Sequence, residues 1–185
     1  MKNIFGIILI FSISLIKINA QDIPATDNLL IEKFMKSVTS IEKVKIDSDT
    51  LAKVFTGAYY QVTTVFTIKD GTSSCESYKL VVKNGELIEL EDLGITKKLD
   101  VLFSLLRDDF YLKNEGDAKV FETSLDKIYP LGWSDADNKE HLKKGNQWYF
   151  VRGKFFDSKK AFIVTLDQNS RISQIDYSLE ALKKL

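Results

Sequence analysis

Two turn dipeptides in the first half of the chain constrain its fold more than any other feature. Asp70-Gly71 and Asn84-Gly85 interrupt segments in which apolar and polar residues alternate. Tight hairpins favour these dipeptides because both central residues of a type I′ turn need a positive φ. Alternation with a period of two is typical of a half-buried strand. The pattern therefore predicts a three-stranded antiparallel meander over residues 52–69, 73–83 and 86–91.

Helical periodicity appears on both sides of this meander. Asp27 can cap a helix, and the apolar residues after it recur at spacings of three and four: Leu30, Phe34, Val38 and Ile41. A second stripe follows a capping Thr96 and comprises Leu99, Leu102, Phe103, Leu106 and Phe110. Shorter helices are predicted at 118–127 and, as a tail, at 178–185.

Three more strands are predicted in the second half, at Gln147–Phe156, Ala161–Leu166 and Arg171–Tyr177. Runs of strands linked by hairpins and separated by helices are typical of the α+β class. We therefore expect helices packed on a curved antiparallel sheet made of two three-stranded meanders. The two halves are similar in outline without a residue-by-residue repeat, so the pattern leaves a duplication open.

The last strands also carry a resemblance to a known group of folds. Asn146–Phe150, Phe162–Asp167 and Arg171-Ile172 resemble the final strands of bacterial envelope domains of the cystatin-like or nuclear-transport-factor-2-like group. The resemblance covers roughly residues 96–177 and rests on pattern. It implies helices docked on a curved antiparallel sheet, and it supplies no catalytic residues.

Residues 1–20 have the features of a secretory signal peptide. Lys2 supplies the positive start, Ile4–Ile16 is uncharged and apolar, and Ala20 before Gln21 is a small residue at the expected cleavage site. The run is short for a membrane span, which needs about 20 apolar residues, so an uncleaved anchor is the less favoured alternative. No cysteine stands directly after the apolar run to accept a lipid. We expect a secreted or periplasmic protein, with 21–185 as a single α+β domain.

Charge and cysteine content narrow the classes of partner. The predicted signal removes Lys2 and Lys17 from 26 basic residues and none from 26 acidic ones, which leaves a formal charge of −2. Nucleic-acid binding is not expected, because neutralising phosphates needs an excess of Lys and Arg on one face. Cys75 is the only cysteine in the sequence, so no internal disulfide can form.

The sequence offers few of the residues that catalysis or metal binding requires. His141 is the only histidine, and its hydrophilic context predicts an exposed side chain. One histidine and one cysteine far apart do not supply a structural zinc site. The acidic clusters do not follow the spacing of a calcium loop; they are Asp47 with Asp49, and Asp135 with Asp137 and Glu140. We expect no catalytic constellation, no metal and no cofactor.

Aromatic residues are the remaining candidates for a functional site. Tyr59-Tyr60 and Trp148-Tyr149-Phe150 lie within strand patterns, where neighbouring side chains point to opposite faces. Rings that lie away from the core can bind a partner, because they offer a large contact area. Trp133 lies in a loop-like segment after Pro130. The candidate partner-binding residues are Tyr59, Trp133, Trp148 and Tyr149.

These observations favour an exported, non-enzymatic binding module that recognises a protein or another macromolecule. Its sheet face and the region 130–149 would form the binding surface, and an inhibitor or immunity-type protein is one specific form. An alternative is a carrier of a small apolar ligand, with a pocket lined by Tyr60, Phe66, Phe103 and Trp148. A hydrolase that uses carboxylates alone is a third hypothesis.

Overall fold

The computed structural model describes residues 23–35, 40–67, 73–90, 95–128, 139–155 and 158–178. The first half contains α1 (Ala25–Phe34), β1 (Ser40–Lys45), α2 (Asp49–Val54), β2 (Ala58–Thr67), β3 (Ser73–Lys83) and β4 (Glu86–Glu89). The second half contains α3 (Ile95–Leu105), α4 (Glu115–Ile128), β5 (Lys139–Lys144), β6 (Gln147–Phe155), β7 (Ser158–Leu166) and β8 (Ile172–Ser178). The predicted signal, the Asp70-Gly71 turn and the tail helix beyond 178 lie outside these residues.

The strands form two antiparallel sheets, each with its strands in chain order, β1-β2-β3-β4 and β5-β6-β7-β8. Together with the helices they make an α+β fold. The predicted Asn84-Gly85 turn is confirmed: Lys83 pairs with Glu86, and the two turn residues have φ of 54° and 79°. These positive values are the ones that a type I′ hairpin needs.

The prediction of three strands per meander was wrong, because each sheet has four. β1 was missed because its Ile41 also fits the helical spacing of the preceding segment, whereas the strand pairs along its length with β2. β5 was missed because its sequence, Lys-Glu-His-Leu-Lys-Lys, has only one aliphatic residue. A two-residue turn that contains Gly145 at φ 62° joins β5 to β6.

The start of the first predicted strand also differs from the prediction. The strand predicted to begin at residue 52 begins at Ala58, and residues 49–54 form α2 instead, with the Ser48 side chain accepting a hydrogen bond from the Leu51 amide at 3.4 Å. Gly57 separates the two elements at φ 103°, where a Cβ would lie 2.8 Å from a Val81 methyl group. Only glycine fits that approach without a shift.

Two hydrophobic clusters cover opposite faces of the first sheet. On one face, α1 packs through Ile31 and Met35 against a cluster completed by Tyr60, Val62, Leu80 and Val82. The buried side of α1 is therefore one position beyond the predicted Leu30 and Phe34, and Phe34 is 41% exposed. The other face belongs to the larger core, which draws on both halves of the chain.

Backbone bonds and packed rings join the two halves around that larger core. The Thr56 amide donates to the Leu105 carbonyl at 2.7 Å, and the Arg107 amide donates to the Val54 carbonyl at 2.9 Å. Phe55 lies 6.0 Å, between ring centroids, from Phe121 of α4. The inner face of the second sheet therefore packs on helices that the first half also contacts.

Candidate functional site

Adjacent residues on β6 point to opposite faces of the second sheet. Trp148 is only 1% exposed and packs beside Phe150, with 6.4 Å between ring centroids. Tyr149 points outward, is partly exposed, and donates its hydroxyl to Gln147 Oε1 at 2.8 Å. The prediction that Trp148 is a surface ring for partner binding is therefore wrong, because the ring lies in the core. Tyr149 keeps the exposure that partner binding requires.

Tyr59 is also a core residue and not a surface ring. It is 3% exposed, and its hydroxyl donates to the Thr56 carbonyl at 2.8 Å. Burial raises the pKa of Tyr59 well above its ordinary value. Its neighbour Tyr60 is equally buried in the α1 cluster, because both faces of the first sheet are covered there. The fourth candidate, Trp133, lies outside the described residues.

Tyr149 belongs to a row of partly exposed side chains that runs across the outer face of the second sheet. The register pairs it with Leu142 on β5 and with Ile163 on β7. A polar row lies beside it, in which Gln147 pairs with Thr165 and Thr165 with Gln174. We name these six residues the outer surface: Leu142, Gln147, Tyr149, Ile163, Thr165 and Gln174.

Hydrogen bonds order the polar part of the outer surface. Gln147 Nε2 donates to Thr165 Oγ1 at 3.1 Å, and Gln147 Oε1 accepts from Tyr149. On the other side of the Tyr149 row, Val151 and Ala161 are buried at 3% and 0% exposure, so the surface ends there. The result is a row of Leu142, Tyr149 and Ile163 that ends at Asp176 on β8, with an amide and hydroxyl rim on one side that ends at Lys144 on β5.

A histidine cluster that the sequence pattern did not predict lies between α4 and β5. His141 Nδ1 is 2.9 Å from Glu122 Oε2, and His141 Nε2 is 2.7 Å from Glu115 Oε2. The predicted exposure of His141 was wrong, because its side chain is only 18% exposed and its ring lies 6.0 Å from those of Trp148 and Phe150. Glu115 and Glu122 are seven residues apart, a spacing that places both on one helix face and could have pointed to the cluster.

The geometry of this cluster favours a structural role, in which it links α4 to β5, over acid-base catalysis. Both ring nitrogens of His141 are taken by carboxylates, so neither is free to activate a nucleophile in this arrangement. Across the residues that the structure describes, no group of three or more His, Cys, Asp or Glu side chains could hold a metal ion. Asp47 of the predicted acidic clusters is paired with Lys45 at 3.0 Å.

A surface cleft of about 370 Å³ lies between the end of α3 and the start of β8. Its apolar wall consists of Phe103, Leu106, Phe110 and Ile172, and Arg107, Asp108 and Arg171 supply its charges. Phe103 is 43% exposed, although its spacing predicted a core position.

Local backbone contacts position Arg171 at this cleft. The Asp167 carboxylate accepts hydrogen bonds from the amides of Asn169 and Arg171, at 2.7 and 2.9 Å, which closes the β7–β8 turn. The Ser170 carbonyl in that turn accepts from the Leu112 amide at 2.9 Å and so holds the turn against the segment after α3.

The two arginines differ in how their charges are used. Arg107 is bound by both oxygens of Asp109, at 2.8 and 3.0 Å. Arg171 donates Nη2 to the Tyr111 hydroxyl at 2.9 Å, and its guanidinium lies 5.3 Å from the centre of that ring. The hydrogen bond to Tyr111, with smaller contributions from the charges of Asp167 and Asp108, raises the pKa of Arg171.

The pocket predicted for a small apolar ligand does not form from the residues proposed for it. Tyr60 and Trp148 are buried in different hydrophobic clusters, and the side chain of Phe66 is not among those described. Of the four, Phe103 lines the cleft. Among the described residues, the cleft is one place between helix and sheet with room for a small molecule.

Comparisons with family models, with curated proteins and with solved structures found no match. Among the described helices, none is long and apolar enough to cross a membrane.

Proposed function

We propose that the chain is an exported, non-enzymatic binding module that recognises a protein partner through the outer surface. The observation that carries the proposal is the in-register row of Leu142, Tyr149 and Ile163, partly exposed on the outer face of the second sheet. Tyrosine combines a large apolar area with a polar tip, and tyrosine is enriched in protein interfaces.

The rim of the outer surface and the charge of the chain favour a protein, and not a nucleic acid, as the binding partner. Gln147, Thr165 and Gln174 offer amide and hydroxyl groups that donate or accept hydrogen bonds at the edge of the apolar row. The formal charge of the whole sequence is zero, so no excess of cations is available to neutralise phosphates. An inhibitor or immunity-type protein that covers the site of another enzyme is a specific form of this proposal.

Export rests on residues 1–20, and the resemblance to cystatin-like and nuclear-transport-factor-2-like envelope domains stays a prediction. N-terminal sequencing of the mature protein tests export directly. We expect Gln21 as the first residue, because the apolar run ends at Ala20. Material that retains Met1 in the medium or periplasm would contradict cleavage.

The binding proposal is tested with matched variants of two tyrosines. Immobilised wild-type protein is incubated with the envelope fraction of its host, and captured proteins are compared by quantitative mass spectrometry with those on Tyr149→Ala and Tyr111→Ala. Tyr111 is the control because it is also partly exposed but lies near the cleft. We expect a partner that is lost with Tyr149→Ala and kept with Tyr111→Ala.

The captured partner is then purified and titrated against each variant. Loss of a tyrosine at the centre of an interface typically costs about 2 kcal/mol or more of binding free energy, roughly thirtyfold in Kd. Equal affinity of wild type and Tyr149→Ala for every captured protein would place the binding surface elsewhere.

A further inference from the structure

The cleft between α3 and β8 carries two charges, on Arg171 and Asp108, each with hydrogen-bonding atoms that no described residue uses. Arg171 uses Nη2 for Tyr111, so its Nε and Nη1 atoms make no hydrogen bond to the described residues. Asp108 lines the same cleft and makes no hydrogen bond or ion pair with them either. By contrast, the charge of Arg107 is matched by Asp109 through two bonds.

This pairing of charges selects among classes of ligand. A simple organic anion would be attracted by Arg171 but repelled by Asp108. A simple cation would be attracted by Asp108 but repelled by Arg171. A ligand that carries both charges can satisfy both groups, with a carboxylate on the guanidinium and an ammonium on the Asp108 carboxylate.

The apolar wall and the size of the cleft define the rest of the ligand. Phe103 and Ile172 supply apolar surface from the helix side and the strand side. A volume of about 370 Å³ is near the lower end of the usual range for small-molecule sites, about 300–1,000 Å³. The space suits a molecule of roughly the size of one amino acid with a large side chain.

We propose that the cleft binds an apolar α-amino acid as its zwitterion, with Arg171 receiving the carboxylate, Asp108 the ammonium group, and Phe103, Leu106, Phe110 and Ile172 the side chain. The site shares no residue with the outer surface, so this inference does not depend on the proposed protein partner.

The test is a titration of the purified, ¹⁵N-labelled protein with L-phenylalanine, followed by two-dimensional NMR. Because the cleft is open to solvent, we expect weak binding, with a Kd of about 1 mM. The amides of Leu106, Phe110 and Ile172 should shift, while those of Tyr149 and Ile163 on the outer surface should not.

Two analogues separate the charges of the ligand. N-acetyl-L-phenylalanine lacks the ammonium group and L-phenylalaninamide lacks the carboxylate, and each should bind about tenfold more weakly than phenylalanine. L-leucine should bind at the same place, whereas L-serine, which has no apolar side chain, should not. An analogue that binds as tightly as phenylalanine would overturn the zwitterion assignment.

Variants of the protein assign each charge to its residue. Asp108→Asn, which breaks no hydrogen bond among the described residues, should weaken the binding of phenylalanine about tenfold and should not weaken that of N-acetyl-phenylalanine. Arg171→Gln should weaken both, and Lys113→Gln is the charge control, because Lys113 contacts the Tyr111 ring without lining the cleft. Dispersed spectra and an unchanged Tm establish that each variant is folded.

Three results would overturn the proposal. They are the absence of shifts up to about 20 mM phenylalanine, shifts confined to residues outside the cleft, and tighter binding of phenylalanine by Asp108→Asn. The last result would assign the cleft to simple carboxylates.

Discussion

At the scale of single residues, Tyr59 and Tyr60 show how neighbours on one strand can have separate environments. Tyr59 enters the core shared by both halves, and Tyr60 enters the α1 cluster on the opposite face. Each hydroxyl keeps a hydrogen-bond acceptor, the Thr56 carbonyl for Tyr59 and Asp27 Oδ2, at 2.5 Å, for Tyr60. A buried hydroxyl without such a partner would cost about 1–3 kcal/mol.

The stability of the protein should fall at alkaline pH through Tyr60. Burial, followed by the hydrogen bond to Asp27, raises the pKa of Tyr60 well above its ordinary value of 10.0. In the unfolded chain this tyrosine ionises above pH ~10, whereas in the folded protein it stays protonated, so stability present below that pH is lost as pH rises. The contribution lost by pH ~11 is about 1.4 kcal/mol.

Urea unfolding of wild type and Tyr60→Phe at pH 8 and pH 11 measures this contribution of Tyr60 to the free energy of unfolding. Tyr60→Phe loses the Asp27 bond and should be less stable at pH 8, but the gap should narrow by about 1.4 kcal/mol at pH 11 because phenylalanine does not titrate. Other groups titrate alike in both proteins. A gap of the same size at both pH values would mean that folding leaves the pKa of Tyr60 unchanged.

Gly85 should tolerate asparagine better than valine. Its φ is 79°, and a Cβ there would meet nothing within 4 Å, so any cost comes from the backbone and not from a clash. A left-handed conformation costs an L-residue about 1–2 kcal/mol, more for a β-branched side chain, whereas asparagine adopts it readily. Chemical unfolding should place Gly85→Val at least ~1 kcal/mol below Gly85→Asn, and equal stabilities would contradict the turn.

At the scale of elements, β6 shows that the roles of adjacent aromatic residues depend on what packs against each face of the strand. β6 alternates between Trp148 and Phe150 on the inner face and Tyr149 on the outer face. Phe150 lies 5.1 Å from Phe121 of α4, which fills the inner side. The same alternation that buries one ring therefore leaves its neighbour partly exposed on the outer face.

Alanine substitutions on β6 should separate these two roles. Trp148→Ala removes a ring that is 1% exposed and should cost about 3–5 kcal/mol of unfolding free energy, because it leaves a cavity in the core. Tyr149→Ala should cost about 1 kcal/mol or less, since its ring is partly exposed. Thermal and urea unfolding measure both, and comparable losses would mean that the outer face is also packed at this position.

At the scale of the whole molecule, one core ties the stability of the two halves together. Leu51 and Phe55 of the first half share that core with Phe121, Trp148 and residues of β7 and β8 from the second. The 54–56 segment adds backbone bonds to residues 105 and 107. Neither half can therefore expose its part of the core without exposing that of the other.

A destabilising substitution in α2 should therefore also destabilise the second sheet. Leu51→Ala, at a side chain that is 2% exposed, should lower stability by about 2–5 kcal/mol when unfolding is followed by the fluorescence of Trp148 in a Trp133→Phe background. Leu29→Ala is the control, because Leu29 is 66% exposed and should have little effect. A Trp148 transition that Leu51→Ala leaves in place would show that the halves unfold independently.

Features that depend on neighbours along the chain could be predicted from the sequence. The Asn84-Gly85 turn follows from the φ values that a tight hairpin imposes. The stripe from Leu99 to Phe110 and the segment 118–127 predicted α3 and α4, although α3 already ends at Leu105. These patterns together with the later strands were enough for the α+β class. They rest on local periodicity and turn chemistry, which a sequence displays directly.

Which face of each element is covered, and which distant side chains meet, depends on tertiary packing that the sequence pattern does not display. β1 and β5 became strands through pairing with β2 and β6, although their own sequences carry a weak strand pattern. Tyr59 and Trp148 are buried by residues that are distant in the chain. His141 likewise contacts two glutamates of α4, and Arg171 lines the same cleft as Asp108. The physical reason is that periodicity assigns side chains to one face or the other, whereas burial depends on what packs against that face.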